Sequence, residues 1–213
     1  MEPVIRRAIQ GLNWSGLRNV QVRGVLPASG VVWAANHHSW WDGFASAGAL
    51  WRGGRRPTLL MDAANLDRFG YLRRVGVIGT DELRTATRAL RSGAVMIVFP
   101  EGELRAPGTL GPLHRGGAWL AVRSGTPLVP VATRAALRAH AAPEYLIDVG
   151  PVLEGDDAGE LTERLTAELS ARLAALDELV ATTDPYLALP GFRLAHRGRR
   201  DWDERFGGAV VRT

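Results

Sequence analysis

The chain has 213 residues, enough for one domain that buries a core of its own. It contains no cysteine, which excludes a disulfide framework, a catalytic thiol and a cysteine zinc site. Every residue of the Lys/Arg class is arginine, spread along the chain as a codon bias would spread it. The net charge of +4 suits an anionic surface only weakly, and no nucleic-acid partner is expected.

The opening "MEPVIRRAIQ" lacks the uninterrupted apolar core of a secretory signal. No apolar run approaches the roughly 20 residues of a membrane span. The chain is therefore expected in the cytoplasm, with room to lie peripherally on the inner face of the cell membrane. Val4, Ile5, Ala8, Ile9 and Leu12 recur at helical spacing beside Arg6 and Arg7, so residues 1–18 form an amphipathic helix. Trp14 and Leu17 extend its apolar side. Such a stripe either packs on the domain core or lies in a membrane interface.

"NVQVRG" (19–24) and "VVWAAN" (31–36) read as strands joined by a loop with Pro and Gly. A helix over 43–51 ends at "GGRRP", and "TLLMD" (58–62) is a buried strand. Residues 65–76 read as a helix, "VIG" as a short strand, and 81–93 as a helix with an acidic start and a glycine stop. The buried strand "AVMIVF" (94–99) leads into the loop "PEGELRAPGTLGP". A helix over 115–125, strands over 127–133 and 144–150, and a long amphipathic helix over 160–181 follow. Alternating strands and helices with short loops predict a single α/β domain over 19–183, its mixed, mostly parallel sheet flanked by helices. Residues 184–213 read as a basic, weakly patterned tail.

Polar residues gather after two apolar strands, where α/β folds place their sites. His37, His38, Ser39 and Asp42 follow the strand at 31–36. Glu101, Glu103 and Arg105 follow the strand at 94–99. His37 and Asp42 are five apart, about 140° around a continuous helix, so they meet only if a turn separates them and Asp42 opens the next helix. His38 and Asp42 are four apart and pair on a helix. Spacing leaves the choice of histidine open.

"NHHSWWD" (36–42) resembles the N-H-x-S-x-x-D signature of the glycerolipid acyltransferases, the lysophosphatidic acid acyltransferase family. "VFPEGELR" (98–105), "LHRGGAWLA" (113–121) and "GTPLVPVA" (125–132) resemble three further elements of that family, in order. The resemblance implies an acyltransferase fold and transfer of an acyl group from acyl-CoA or acyl-carrier protein, as co-substrate, to a lipid hydroxyl. The default acceptor is 1-acylglycerol-3-phosphate. It selects His37 as general base, with Asp42 holding its tautomer. It assigns Glu101, Gly102, Arg105 and Arg115 to the acceptor. It requires no metal and no cofactor beyond the donor, and it makes a membrane surface the working partner. Trp40 and Trp41 are expected as core or acyl-facing packing, with core the first reading. Ser39 raises an acyl-enzyme variant, but the resemblance favours direct transfer and leaves Ser39 as a helix cap.

Two departures touch phosphate binding. Asp81 and Glu82 stand where the resemblance expects an arginine, and Arg105 sits four residues after Glu101 instead of three. A lipid acceptor without phosphate, a glycolipid or hydroxylated terpenoid, is therefore the alternative. Other classes are a metal-dependent hydrolase using His37, His38, Asp42 and His114, and a non-catalytic lipid-binding module.

Overall fold

In a computed structural model, residues 2–28 and 30–201 are described. The chain runs α1 (Glu2–Gly16), β1 (Asn19–Arg23), β2 (Val31–Ala35), α2 (Asp42–Arg52), β3 (Pro57–Met61) and α3 (Ala63–Arg68). A 3-10 segment (Gly70–Val75), β4 (Val77–Gly79), α4 (Leu83–Arg91), β5 (Val95–Val98) and α5 (Gly116–Ser124) follow. Then come β6 (Leu128–Ala136), β7 (Glu144–Val149), α6 (Ala158–Thr182) and β8 (Arg193–Arg197). The strands form one sheet in the order β4-β3-β5-β2-β6-β7-β1-β8. It is parallel except where β6 pairs with β7 and β1 with β8.

Helices cover both faces, which is why the central strands are apolar runs without alternation. On β2, Trp33 and Ala35 join the cluster that includes Ala45, Ala49 and Leu50 of α2. Val32 and Ala34 point the other way, to Leu90 of α4, Leu120 of α5 and Leu161, Leu165 and Leu169 of α6. All five residues of β2 are buried. Gly125 stops α5 with φ +65°, a left-handed conformation open to glycine at no steric cost.

Helix α1 takes the first of its two fates on one side. Ile9 and Asn13 are buried, and the Asn13 amide donates to the Phe44 carbonyl of α2 at 2.9 Å. Arg6 lies over the Trp51 ring, 5.1 Å from its centroid. Val4 and Leu12 face outward, 66 % and 41 % exposed. The Trp14 side chain lies outside the described residues. Among the described residues no helix is long and apolar enough to cross a membrane.

Two expectations need correction, the helix over 65–76 and the unpatterned tail. The helix read over 65–76 is broken: Asp62 caps α3 through Asn65 N–H, and Phe69 leaves helical geometry (φ −116°, ψ 40°). Leu66 and Leu72 share one small core with Val77. Six residues apart on a straight α-helix they would be about 120° apart around the axis, so the break and the tighter turn let both reach it. The strands at 19–23 and 31–35 are consecutive but not neighbours; β6 and β7 lie between them. The tail supplies β8, which pairs antiparallel with β1 at the sheet edge. Its pattern is inverted, with Leu194 exposed and His196 buried, so no alternation marks it as a strand. The rest of the tail, 202–213, lies outside the described residues.

Candidate active site

Strands β2 and β5 are parallel neighbours, with Ala34 opposite Val98. The loops that leave their C-terminal ends therefore meet, which brings the two polar groups of the sequence together. Asn36 anchors the first loop: its Oδ1 accepts the Thr133 N–H of β6 at 2.8 Å. Glu101 joins the loops. One oxygen accepts the His37 N–H at 2.7 Å, and the other accepts the Gly111 N–H at 2.9 Å. Arg105 N–H donates to the His37 carbonyl at 2.8 Å. Gly102, at φ +74°, faces His114; a Cβ there would stand 2.9 Å from its ring.

Residues 37–41 are not helical, and Asp42 is the first residue of α2. This turn lets His37 Nδ1 meet Asp42 Oδ2 at 2.8 Å. The same oxygen accepts the His38 and Ser39 N–H groups at 2.8 and 2.9 Å, and Oδ1 accepts the Tyr145 hydroxyl at 2.6 Å. Asp42 is fully buried. A buried carboxylate surrounded by donors keeps its charge because those donors replace its water. Its bond to Nδ1 fixes the tautomer: in the neutral ring the proton lies on Nδ1 and Nε2 is the acceptor. The His37 ring stacks on Phe99 at 4.2 Å and is 25 % exposed.

His38 is turned inward. Its Nε2 accepts the Ala135 N–H at 3.0 Å, so a neutral ring carries its proton on Nδ1. Asp42 Oδ1 lies 3.6 Å from that Nδ1, while the nearer Asn36 amide nitrogen is itself a donor. Burial lowers the His38 pKa below the ordinary histidine value, partly countered by the Asp42 charge. With both nitrogens directed into the protein, His38 is unsuited to a metal. Among the described residues, no three His, Asp or Glu side chains gather as a metal site. The Ser39 hydroxyl accepts the Trp41 N–H at 3.2 Å, one residue before α2 begins.

Tyr145, on β7, escaped the sequence reading, in which it was one apolar residue of a strand. It lies 103 positions from the aspartate it touches. Burial, and then the Asp42 charge, hold its pKa well above the ordinary tyrosine value, so it stays a donor.

His37 stands at the wall of a cavity of about 590 Å³. Phe44 and Trp51 of α2, Leu59 and Met61 of β3, and Leu72 make much of its apolar surface. Gly102 also lines it. The other sequence assignments are placed differently. Trp40 lines the cavity and is 59 % exposed, so it is not core, whereas Trp41 packs against α1 at Gly16. Glu101 is buried between backbone donors. The Arg105 guanidinium is outside the cavity lining; it pairs with Glu103 at 2.6 Å and packs against Gly111. Arg115 is exposed before α5 with its guanidinium beside Gly159 of α6, and it too is outside the lining.

A histidine–aspartate pair at the strand ends of an α/β sheet, opening on an apolar cavity, defines a site for chemistry on a lipid-like substrate. The Acyltransferase family model matches residues 13–134, more than half of the chain and the whole of both site loops. The chain belongs to the glycerolipid acyltransferase family. It is 31 % identical over 110 residues to the 1-acyl-sn-glycerol-3-phosphate acyltransferase of Pseudomonas aeruginosa. That match covers 45 % of this chain and 39 % of the relative, well under half of the relative's length. Its fold is similar to the crystal structure of the 1-acyl-sn-glycerophosphate acyltransferase PlsC of Thermotoga maritima. The TM-score is 0.63 at 17 % identity, over 83 % of this chain and 81 % of that one.

Proposed function

We propose that this acyltransferase moves a fatty acyl group from a thioester, acyl-CoA or acyl-carrier protein, to a lipid hydroxyl, with His37 as general base. The observation that carries this reading is the 2.8 Å bond from His37 Nδ1 to the buried Asp42, beside the cavity. Nε2 takes the acceptor's proton as its oxygen attacks the thioester carbonyl. Asp42 stabilises the imidazolium that forms. The tetrahedral intermediate collapses, the C–S bond breaks, and the imidazolium returns its proton to the departing thiolate. The acyl chain lies in the apolar cavity. The Ser39 hydroxyl accepts the Trp41 N–H, and this reading, direct transfer, gives it no covalent part.

The assay uses purified protein, palmitoyl-CoA and a set of lysolipid acceptors that includes 1-acylglycerol-3-phosphate, the acceptor for which the relative is named. An excess of EDTA is present. Ester product at an undiminished rate is expected. Loss of product with EDTA, restored by a divalent ion, would point to metal chemistry and overturn the reading.

The protein works peripherally on the cytoplasmic side of the membrane. Val4 and Leu12 project from α1, and Trp40, Phe69 and Leu104 are exposed around the cavity. The apolar tips would enter the lipid interface while the exposed Arg7 meets anionic headgroups. The double substitution Val4→Asp, Leu12→Asp is expected to reduce binding to anionic liposomes at least about tenfold, because charges resist that interface, with the melting temperature unchanged. Unchanged flotation with liposomes would contradict membrane docking through α1.

A further inference from the structure

The polar part of the cavity wall bears on what carries the reacting hydroxyl. Asp62 and Asn65 at the start of α3, Thr80 after β4 and Glu103 after β5 line the same cavity as His37. Among the described residues no arginine lines it. Arg105 comes close through its backbone, but its guanidinium is engaged by Glu103 at 2.6 Å, with Glu101 at 3.8 Å. Its neighbour Leu104 lines the cavity instead. Arg73 is held in the same way by Glu82, whose pKa is lowered by the Gly79 N–H and by Arg73 itself.

A phosphate monoester carries close to two negative charges at neutral pH. In 1-acylglycerol-3-phosphate only one carbon and an ester oxygen separate it from the carbon bearing the reacting hydroxyl. With that hydroxyl at His37, the phosphate would have to sit in or beside this wall. The Asp62 carboxylate repels it there; Glu103, already paired with Arg105 at 2.6 Å, adds no attraction, and no arginine lies in the lining. The same side chains suit an uncharged headgroup: carboxylates accept hydrogen bonds from alcohols, and the Asn65 amide and Thr80 hydroxyl both donate and accept.

We propose that the acyl acceptor is a lipid with an uncharged, hydroxyl-bearing headgroup, a monoacylglycerol or a glycolipid, recognised by Asp62, Asn65, Thr80 and Glu103. This deepens the acyl-transfer reading and rests on it. The test compares kcat/KM for 1-monoacylglycerol, a monoglycosylated lysolipid and 1-acylglycerol-3-phosphate. All three carry the same acyl chain, in the same mixed micelles, with one acyl-CoA. At least one neutral acceptor is expected to exceed the phosphorylated one tenfold or more. Glu103→Gln, which frees Arg105 and removes a charge, is expected to raise use of the phosphorylated acceptor several-fold. A preference for 1-acylglycerol-3-phosphate that Arg105→Ala abolishes would overturn the proposal and leave the acyl-transfer reading standing. With acyl-CoA and acyl-carrier protein each supplied as donor, transfer to none of the three would overturn both.

Discussion

His37→Ala is expected to lower turnover roughly 10²–10⁴-fold, the usual worth of a positioned general base, and to unfold near the wild-type temperature. The ring sits partly exposed against Phe99, and its removal leaves Asp42 with the His38 and Ser39 N–H groups and the Tyr145 hydroxyl. His38→Ala is expected to do the reverse. It takes the partner from the part-buried Ala135 N–H, at a cost of about 0.5–1.5 kcal/mol for a lost hydrogen bond, and leaves the base in place. Saturating turnover and melting temperature, measured on both variants, separate the two histidines. Equal losses of turnover would contradict the assignment. Acid also distinguishes them. The folded state binds a proton at His38 less readily than the unfolded chain does, so stability falls as pH drops below the ordinary histidine value of 6.5. His38→Ala flattens that fall.

Asp42→Asn is the second large effect, a loss on the order of 10²–10⁴-fold. The amide oxygen can still accept from His37 Nδ1 and the two backbone donors, and its NH₂ can face the Tyr145 oxygen. Geometry is therefore nearly kept, and what disappears is the charge that stabilises the imidazolium. Tyr145→Phe is expected to act more mildly, within about tenfold of wild-type turnover, as Asp42 keeps its charge and three of its donors. Its cost falls on folding, about 1.5–3 kcal/mol for a buried hydrogen bond to a charged group. The rates and melting temperatures of the pair check this. A Tyr145→Phe enzyme as inactive as Asp42→Asn would contradict a supporting role for the tyrosine.

Much of this site was legible because it is local. The turn that lets His37 reach Asp42 lies inside a seven-residue stretch, and the buried strands before each loop are plain apolar runs. The leucine stripe of α6 is equally local, at helical period, and all its central leucines are buried. What the sequence concealed depends on strands far apart in the chain becoming neighbours. Tyr145 reaches Asp42 only because α2 lies across the face of the sheet to which β7 belongs. Strand β8 has its histidine inside and its leucine outside. Glu101, Arg105 and Arg115 sit in motif positions that give residue type but not direction. Glu101 turned out to hold two backbone N–H groups, Arg105 to fold onto Glu103, and Arg115 to lie by α6. Trp40 shows the same limit: its neighbour Trp41 packs against α1, and nothing in "SWWD" tells the two apart.

The most direct measurement follows both products of one reaction, released CoA by its thiol and lipid ester by mass spectrometry, in the wild type and in His37→Ala. The account predicts one ester formed per thiol released in the wild type, and loss of both together when His37 is removed. Thiol release without ester, or full ester formation in His37→Ala, would contradict acyl transfer driven by the His37–Asp42 pair.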